Sequence, residues 1–426
     1  MKNYMESKNS SLYLFTDEYP VGEFSFITPE IEILAKTFTT IENIPKKTIP
    51  DIKNKKCRVI TNNFLSIILK KWNLLTILES LILFSQKKIL LYECKENIFY
   101  LSNINGLFRL ISFQFKAYLV MKWVCTMIQT KNLDLSKIIF YTYWFDYVTL
   151  GLCYAKKTYP DMIVISRTHG ADLYSERHSP PYIPFQGFLI KTINHLYTAS
   201  EHGREYLIQK YPQFHTKIDV SYLGVPDPEY TTLPSSDGIF RILSCSSLVP
   251  IKRVDRIIDV LALIGKQNPN KQYFWTHIGG GPLFEVLKLQ SQLKFPSNVK
   301  YEYKGNIENY EVLNYYHNHC VDLFINTSDS EGTPVSIQEA QSFGVPVLAT
   351  AVGGNSEIVN NINGFLVPID ATSNQIAELI SSMVSDPLKM LKKRSESKNN
   401  WMQNYNSSIN HQRFADKLYH LLEVIV

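Results

Sequence analysis

The sequence predicts an α/β protein of two Rossmann-like domains facing each other across a cleft, and three observations carry that prediction. The chain has 426 residues, too many for one ordinary core and well suited to two domains of similar size. From about residue 238 onward, short β-rich runs alternate with helical patterns, as parallel strands joined by crossover helices require. The first half repeats this theme less regularly, and a stretch rich in Pro, Ser, Thr and Asp divides the halves.

Taken in order, the first half offers SLYLFT, KIIFYTYW, DMIVISRT, HLYTAS and DVSYLGV as strands separated by helical segments, giving a first domain over 1–226. The stretch GVPDPEYTTLPSSDGIF has no apolar periodicity and reads as a surface linker. The runs ILSCSS, YFWTHIG, VKYEYKG, DLFINT, VPVLAT and GFLVPI then build a second domain over 238–405. Residues 406–426 end in HQRFADKLYHLLEVIV, whose apolar spacing is helical and leaves a C-terminal helix free to pack back across the cleft. Ligands of open α/β sheets sit outside the carboxyl ends of the strands, so that cleft is the expected active site.

Hydrophobic residues make up 45% of the chain and charged residues 19%, enough apolar material for packed cores and no case for extensive disorder. A formal net charge of +5 is too mild for a dedicated nucleic-acid binder. The six cysteines form no CxxC pair, which points away from zinc sites and disulfide frameworks and toward a reducing cytoplasm. The polar start MKNYMESKNSS lacks the apolar segment of a secretory signal. Residues 73–92 are apolar but carry Glu79, Lys87 and Lys88, short of the roughly 18 uncharged residues of a spanning helix. The stretch LFRLISFQFKAYLVMKWV, with Arg109, Lys116 and Lys122, suits a buried amphipathic helix first and a bilayer-lying one second. The basic run PKKTIPDIKNKKCR fits an anionic membrane surface and a solvated loop equally. The expected location is therefore cytoplasmic, with peripheral attachment to the inner face of the membrane left open.

The most informative passage is DSEGTPVSIQEAQSFGVPVLATAVGGNSEIV, directly after the strand DLFINT. Glu331 stands at the strand's carboxyl end, and Gly332, Thr333 and Pro334 turn the chain into a helix that begins with Val335 and carries Glu339. Proline suits an early helical position. The free N–H groups of such a helix start, with the positive end of its dipole, make a cradle for a diphosphate. Two carboxylates eight residues apart would then border one cleft, able to bind sugar hydroxyls and ribose. An isolated Glu is ordinarily a solvated surface residue; the Gly-Thr-Pro turn, FGVPV and AVGG argue against that here. In SCSSLVPIKRVDRIIDVLALI, Lys252 and Arg253 stand at a loop-to-helix junction where cations can neutralise a phosphate leaving group.

The first of these passages closely resembles the donor-binding signature of the retaining glycosyltransferases of family 4, which have the GT-B fold and include enzymes that build bacterial surface polysaccharides. The resemblance runs almost continuously over 241–368 and in patches through the first half. It implies that Glu331 contacts the donor sugar and supports its departing bond, that Glu339 holds the nucleotide ribose, and that backbone around Gly332, Thr333, Pro334 and Val335 meets sugar or diphosphate. Lys252 would be the chief cation. Many relatives carry an Arg five residues before it, where this chain has Ser247, so Arg253 is the expected substitute. HIGGGPLFEVL resembles the family's second glycine loop, bringing Gly280 and Gly281 near the nucleotide, and Asn306 and Ile307 would lie near the nucleobase. In ISRTHGADLYSERH, His169 matches the histidine that relatives present to the donor sugar, with Arg167 and Asp172 placed to orient it or the acceptor. Gly22 and Glu23 match a Gly-Glu pair that lines the acceptor side.

The implied function is transfer of a sugar from a UDP- or GDP-linked donor to a glycan or lipid-linked glycan acceptor, with retained anomeric configuration and with no metal or resident cofactor. A GT-B epimerase acting on the sugar nucleotide is the nearest rival, and a non-catalytic relative that recognises a glycan or lipid headgroup is the third reading.

Overall fold

The structure, a computed structural model, describes residues 10–19, 27–48, 59–68 and 88–425. The chain divides into two compact units, one formed by Met1–Ser221 with His411–Val426 and the other by Tyr222–Asn410.

The first unit is built on a seven-stranded sheet of order β3-β2-β1-β4-β5-β6-β7. Its strands are β1 (Ser11–Tyr19), β2 (Thr40–Thr48), β3 (Val59–Thr61), β4 (Ile138–Thr142), β5 (Ile163–Thr168), β6 (His195–Thr198) and β7 (Ile218–Val220), and all pair in parallel. Every residue of β4 and β5 is buried, as expected of parallel strands covered on both faces. One face packs against the long helix Ile104–Lys131 through Val120, Trp123, Val124 and Met127. The other is covered by Ile31 and Leu34 of the helix Ile27–Thr37 and by Phe414, Ala415 and Leu418 of the last helix, Ser407–Ile425. Residues from 411 onward are therefore part of the first unit's core.

The second unit carries a six-stranded parallel sheet of order β10-β9-β8-β11-β12-β13. Its strands are β8 (Ile239–Cys245), β9 (Gln272–Ile278), β10 (Val299–Gly305), β11 (Leu323–Asn326), β12 (Val347–Thr350) and β13 (Gly364–Val367). The strand order reverses between β8 and β11, so the loops leaving their carboxyl ends flank the crevice where such sheets take ligands. The helix Val254–Gln267 packs Ile257, Ile258 and Leu261 on one face with Trp275 of β9, and the opposite face buries Tyr316, Ile337, Phe343 and Trp401.

Several expectations are revised. The stretch read as a surface linker belongs to the second unit: Val225 and Thr232 are buried, and Thr232 bonds the Phe343 carbonyl through its N–H and the Tyr316 carbonyl through its hydroxyl. Its backbone polar groups find partners in the unit it leads into, which composition does not reveal. The basic run begins as β2, where Lys46 is only 15% exposed and contacts the carboxylates of Asp17 and Asp146, while Lys47 pairs with Glu18. These two cations are spoken for by acids, and the rest of the run lies outside the described residues. The helix that holds LFRLISFQFKAYLVMKWV buries Leu110, Phe115, Val120 and Trp123, but its first turns expose Ile104, Leu107 and Phe108. Residues 73–87 also lie outside the description. Among the described residues no helix is long and apolar enough to cross a membrane.

Candidate active site

Four loops leave the carboxyl edge of the second sheet, after β8, β9, β10 and β11, and hydrogen bonds join them into one surface. Lys252, in a short 3-10 turn after β8, donates to both carboxylate oxygens of Glu331 at 2.8 Å. The same carboxylate accepts from Asn326 Nδ2 at 3.0 Å and Ser328 Oγ at 2.6 Å. Four hydrogen bonds thus fix the Glu331 side chain, which is 8% exposed beside a Lys252 that is 24% exposed. The two loops are further tied by Asp329 N–H to the Ile251 carbonyl at 2.8 Å and by Thr327 Oγ1 to the Arg253 carbonyl at 2.8 Å. Arg253 itself sits at φ 49°, a left-handed conformation that costs a non-glycine residue about 1–2 kcal/mol. Its guanidinium faces Asp255 and Asp329 rather than Lys252.

Behind Glu331 stands the Gly353-Gly354 pair that follows β12. A Cβ at Gly353 would lie 2.0 Å from the Glu331 carbonyl oxygen, and one at Gly354 would lie 2.0 Å from that of Gly332. Gly354 N–H also bonds the Gly332 carbonyl at 2.9 Å. The two glycines therefore let a second loop press directly on the backbone that carries Glu331. After Pro334 the helix Val335–Ser342 starts with no side chain capping it, so its first N–H groups are free to meet an anion.

Glu339, one turn into that helix, is 5% exposed and accepts from Asn309 Nδ2 at 2.7 Å. Burial pushes its carboxyl up to about 7, against which the Asn309 bond acts in part. Glu331 and Glu339 border the same sheet edge but answer to different neighbours, the loop after β8 in one case and the helix after β10 in the other. Between them lies the glycine loop. Gly279, at φ 129°, allows the Ser246 carbonyl to approach where a Cβ would stand 2.0 Å away, and Gly280 N–H bonds Asn306 Oδ1 at 2.7 Å. Gly281 packs against Leu248 backbone, and Ile307 packs on the apolar layer beneath Tyr316. Below the loop His277 is buried, bonding Ser244 Oγ at 2.9 Å and the Ser246 carbonyl at 3.1 Å. Burial lowers its pKa to about 4, so it stays neutral.

Of the residues expected from sequence, Lys252, Glu331, Gly332, Thr333, Pro334, Val335, Glu339, Gly280, Gly281, Asn306, Ile307 and Arg253 all fall on this one edge. His169 and Asp172 belong to the first unit, at the carboxyl end of β5. There the imidazole packs on Tyr143 and Trp144 with ring centroids 4.9 and 4.5 Å apart. Among the described residues both its ring nitrogens are buried without a hydrogen-bond partner, although Asp172 Oδ2 stands 3.9 Å from Nδ1. Burial opposes the Asp172 charge, yet contacts from His169 and the Phe145 N–H hold its pKa below the ordinary value. Arg167 is a correction: it is 0% exposed, bonded to Tyr141 and the Ser221 carbonyl at 2.9 and 2.7 Å and 3.2 Å from Glu30. A guanidinium so enclosed is a core tie and has no acceptor to meet. Gly22 and Glu23 lie outside the described residues.

Sequence reasoning missed Asn326, Ser328 and Asn309. Polar residues ending an otherwise apolar strand mark the first two, whereas an Asn opening a helix looks like an ordinary cap and signals nothing. Among the described residues no group of three or more His, Cys, Asp or Glu side chains is placed to hold a metal ion.

The paired parallel sheets and the loop constellation of the second unit define a class. Residues 233–402 match the model of the family described as glycosyl transferases group 1; the architecture is the GT-B fold. The O-antigen biosynthesis glycosyltransferase WbnH of Escherichia coli is 28% identical over 180 residues, which is 40% of this chain and 48% of that one. A GDP-mannose-dependent phosphatidylinositol monomannoside mannosyltransferase of Corynebacterium glutamicum is 27% identical over 156 residues, 35% of this chain and 39% of its own. The chain thus spans about half, or less, of the length of these curated relatives. Two solved structures share its fold over nearly their whole length. The lipopolysaccharide outer core galactosyltransferase WaaB has a TM-score of 0.66 at 15% identity, covering 96% of this chain and 99% of that one. HepE of Anabaena, in complex with UDP and glucose, has a TM-score of 0.63 at 17% identity, covering 97% and 100%.

Proposed function

We propose that the protein transfers a hexose from a UDP- or GDP-linked donor to a glycan or lipid-linked glycan acceptor in the assembly of a bacterial surface polysaccharide, with retention of anomeric configuration. The observation that carries this reading is the Lys252–Glu331 pair, braced by Asn326 and Ser328, beside an uncapped helix start. It places a fixed carboxylate, a cation and free amides within one crevice. The relatives named for O-antigen biosynthesis and the neighbour bound to UDP and glucose support the same substrate class.

In this mechanism the nucleoside diphosphate lies along the helix start and Lys252. As the bond to the anomeric carbon lengthens, negative charge gathers on the β-phosphate and positive charge on the sugar ring. The ammonium and the amides stabilise the first, and Glu331 stabilises the second. A donor phosphate oxygen takes the acceptor proton, so the chemistry asks nothing of a metal. Glu339 accepts from the ribose hydroxyls, and His169 of the first unit serves the donor sugar. Asp172 accepts from the His169 backbone N–H, and the rings of Tyr143 and Trp144 pack on the imidazole.

The test is release of nucleotide from a panel of UDP- and GDP-sugars, with and without lipid-extracted acceptor. Acceptor-dependent release is expected, reduced by about 10²–10³ in Lys252→Ala and further in Glu331→Ala, with thermal unfolding unchanged. Epimerised sugar nucleotide formed without acceptor would instead make the protein an epimerase. Full activity in both folded variants removes the mechanism.

A further inference from the structure

The first unit holds a cavity of about 1070 Å³ that the transfer mechanism does not use. It lies among the helices Lys88–Glu96, Ile98–Leu101, Gln186–Thr192 and Glu201–Lys210, and its volume slightly exceeds the ~300–1,000 Å³ range of ordinary small-molecule sites. That size suits an extended ligand.

Its walls combine two kinds of surface. Tyr92, Tyr100, Phe188, Tyr211 and Phe214 present aromatic rings, of which Tyr92 is 61% exposed at the mouth. Among them stand a carboxylate, an amide and an ammonium. Glu93, itself 5% exposed, accepts from Tyr182 Oη at 2.6 Å and Phe185 N–H at 2.9 Å, both on Oε1. Burial raises its pKa. Gln186 Oε1 accepts from Lys210 Nζ at 2.8 Å, and Lys210 also faces the cavity, as do Lys157, Lys191 and Glu96.

Each simple ligand class meets an obstacle here except one. A purely apolar chain would strip water from the exposed Lys210, Lys191 and Glu96 and give nothing back. A bare phosphate would find lysines but would also face Glu93 and Glu96. A sugar ring offers apolar C–H faces to the aromatic walls and, at its edge, hydroxyls that both donate to carboxylate and accept from ammonium. We propose that this cavity is a carbohydrate-binding site that takes a stretch of sugar chain several rings long. This goes beyond the transfer reaction and is measured without it.

A glycan array of bacterial surface-polysaccharide fragments, probed with the full chain, tests the assignment. The wild-type protein should bind a subset of oligosaccharides, and Tyr92→Ala and Lys210→Gln, which alter different helices of the wall, should each weaken that binding about tenfold or more. Both are exposed or rim positions, so unfolding midpoints should stay near wild type, and UDP binding should be unchanged. Binding to no fragment, or binding that survives both substitutions, overturns the proposal. Loss of UDP binding in the wild-type chain would count against the donor reading alone and leave this one standing.

Discussion

Glu339 is held near its titration midpoint at neutral pH. The unfolded chain gives up this proton near the ordinary carboxyl value of 4.5, and the folded protein at about 7. Between those values the folded state holds more protons, so stability falls as pH rises from 4.5 to 7 and stays lowered above it. The full effect is about 3 kcal/mol. Glu339→Gln should melt higher than wild type at pH 8 and alike at pH 5, by calorimetry at both; equal melting at pH 8 would mean the carboxylate is solvated. A second residue-level prediction concerns Gly354. Gly354→Ala puts a Cβ into the Gly332 carbonyl and must push the Glu331 loop forward. Donor turnover should drop sharply, with a loss of about 1–3 kcal/mol in denaturant unfolding. A neutral substitution would show that the brace is not needed.

At the scale of elements, the last helix supplies a core face to the first unit. Leu418 is 0% exposed, so Leu418→Ala should cost about 2–5 kcal/mol, read as a lowered urea midpoint. His411 of the same helix is 2% exposed and lies 3.5 Å from Glu30. Burial lowers its pKa to about 4, opposed by Glu30 and assisted by Arg167. Here the unfolded chain binds the proton more readily, so stability is complete above pH 6.5 and is lost as pH falls toward 4. His411→Gln should flatten that acid loss, which is about 3 kcal/mol in full, and an unchanged acid slope would count against it. The strands β8 to β13 were legible because buried parallel strands are short continuous apolar runs between helical patterns. The second strand was not. TIENIPKKT carries Pro45 and two lysines, which argue against a strand, and only the facing Asp17 and Asp146 make Lys46 tolerable inside.

At the scale of the molecule, the donor-side constellation was readable because its residues cluster within four short motifs, and the loops that follow adjacent strands must come together. What escaped was set by pairing over long sequence distances. Arg167 stands two residues before His169 in sequence, yet it still lies within the fully buried strand β5, where Glu30 and Tyr141 close its site. The linker stretch escaped likewise, because its partners Tyr316, Phe343 and Arg394 lie far along the chain.

One consequence follows from the first unit's being assembled from two separated segments, Met1–Ser221 and His411–Val426. During synthesis, the sheet that carries His169 is made early, but the layer of Phe414, Ala415 and Leu418 that covers it emerges only after the whole second unit. Until then that face of the nascent sheet is covered only by the helix Ile27–Thr37, and the Arg167–Glu30 pair lacks its neighbours Phe414 and His411. A chaperone that shields such faces would be needed most in that interval, and cells depleted of it should accumulate the protein as aggregates.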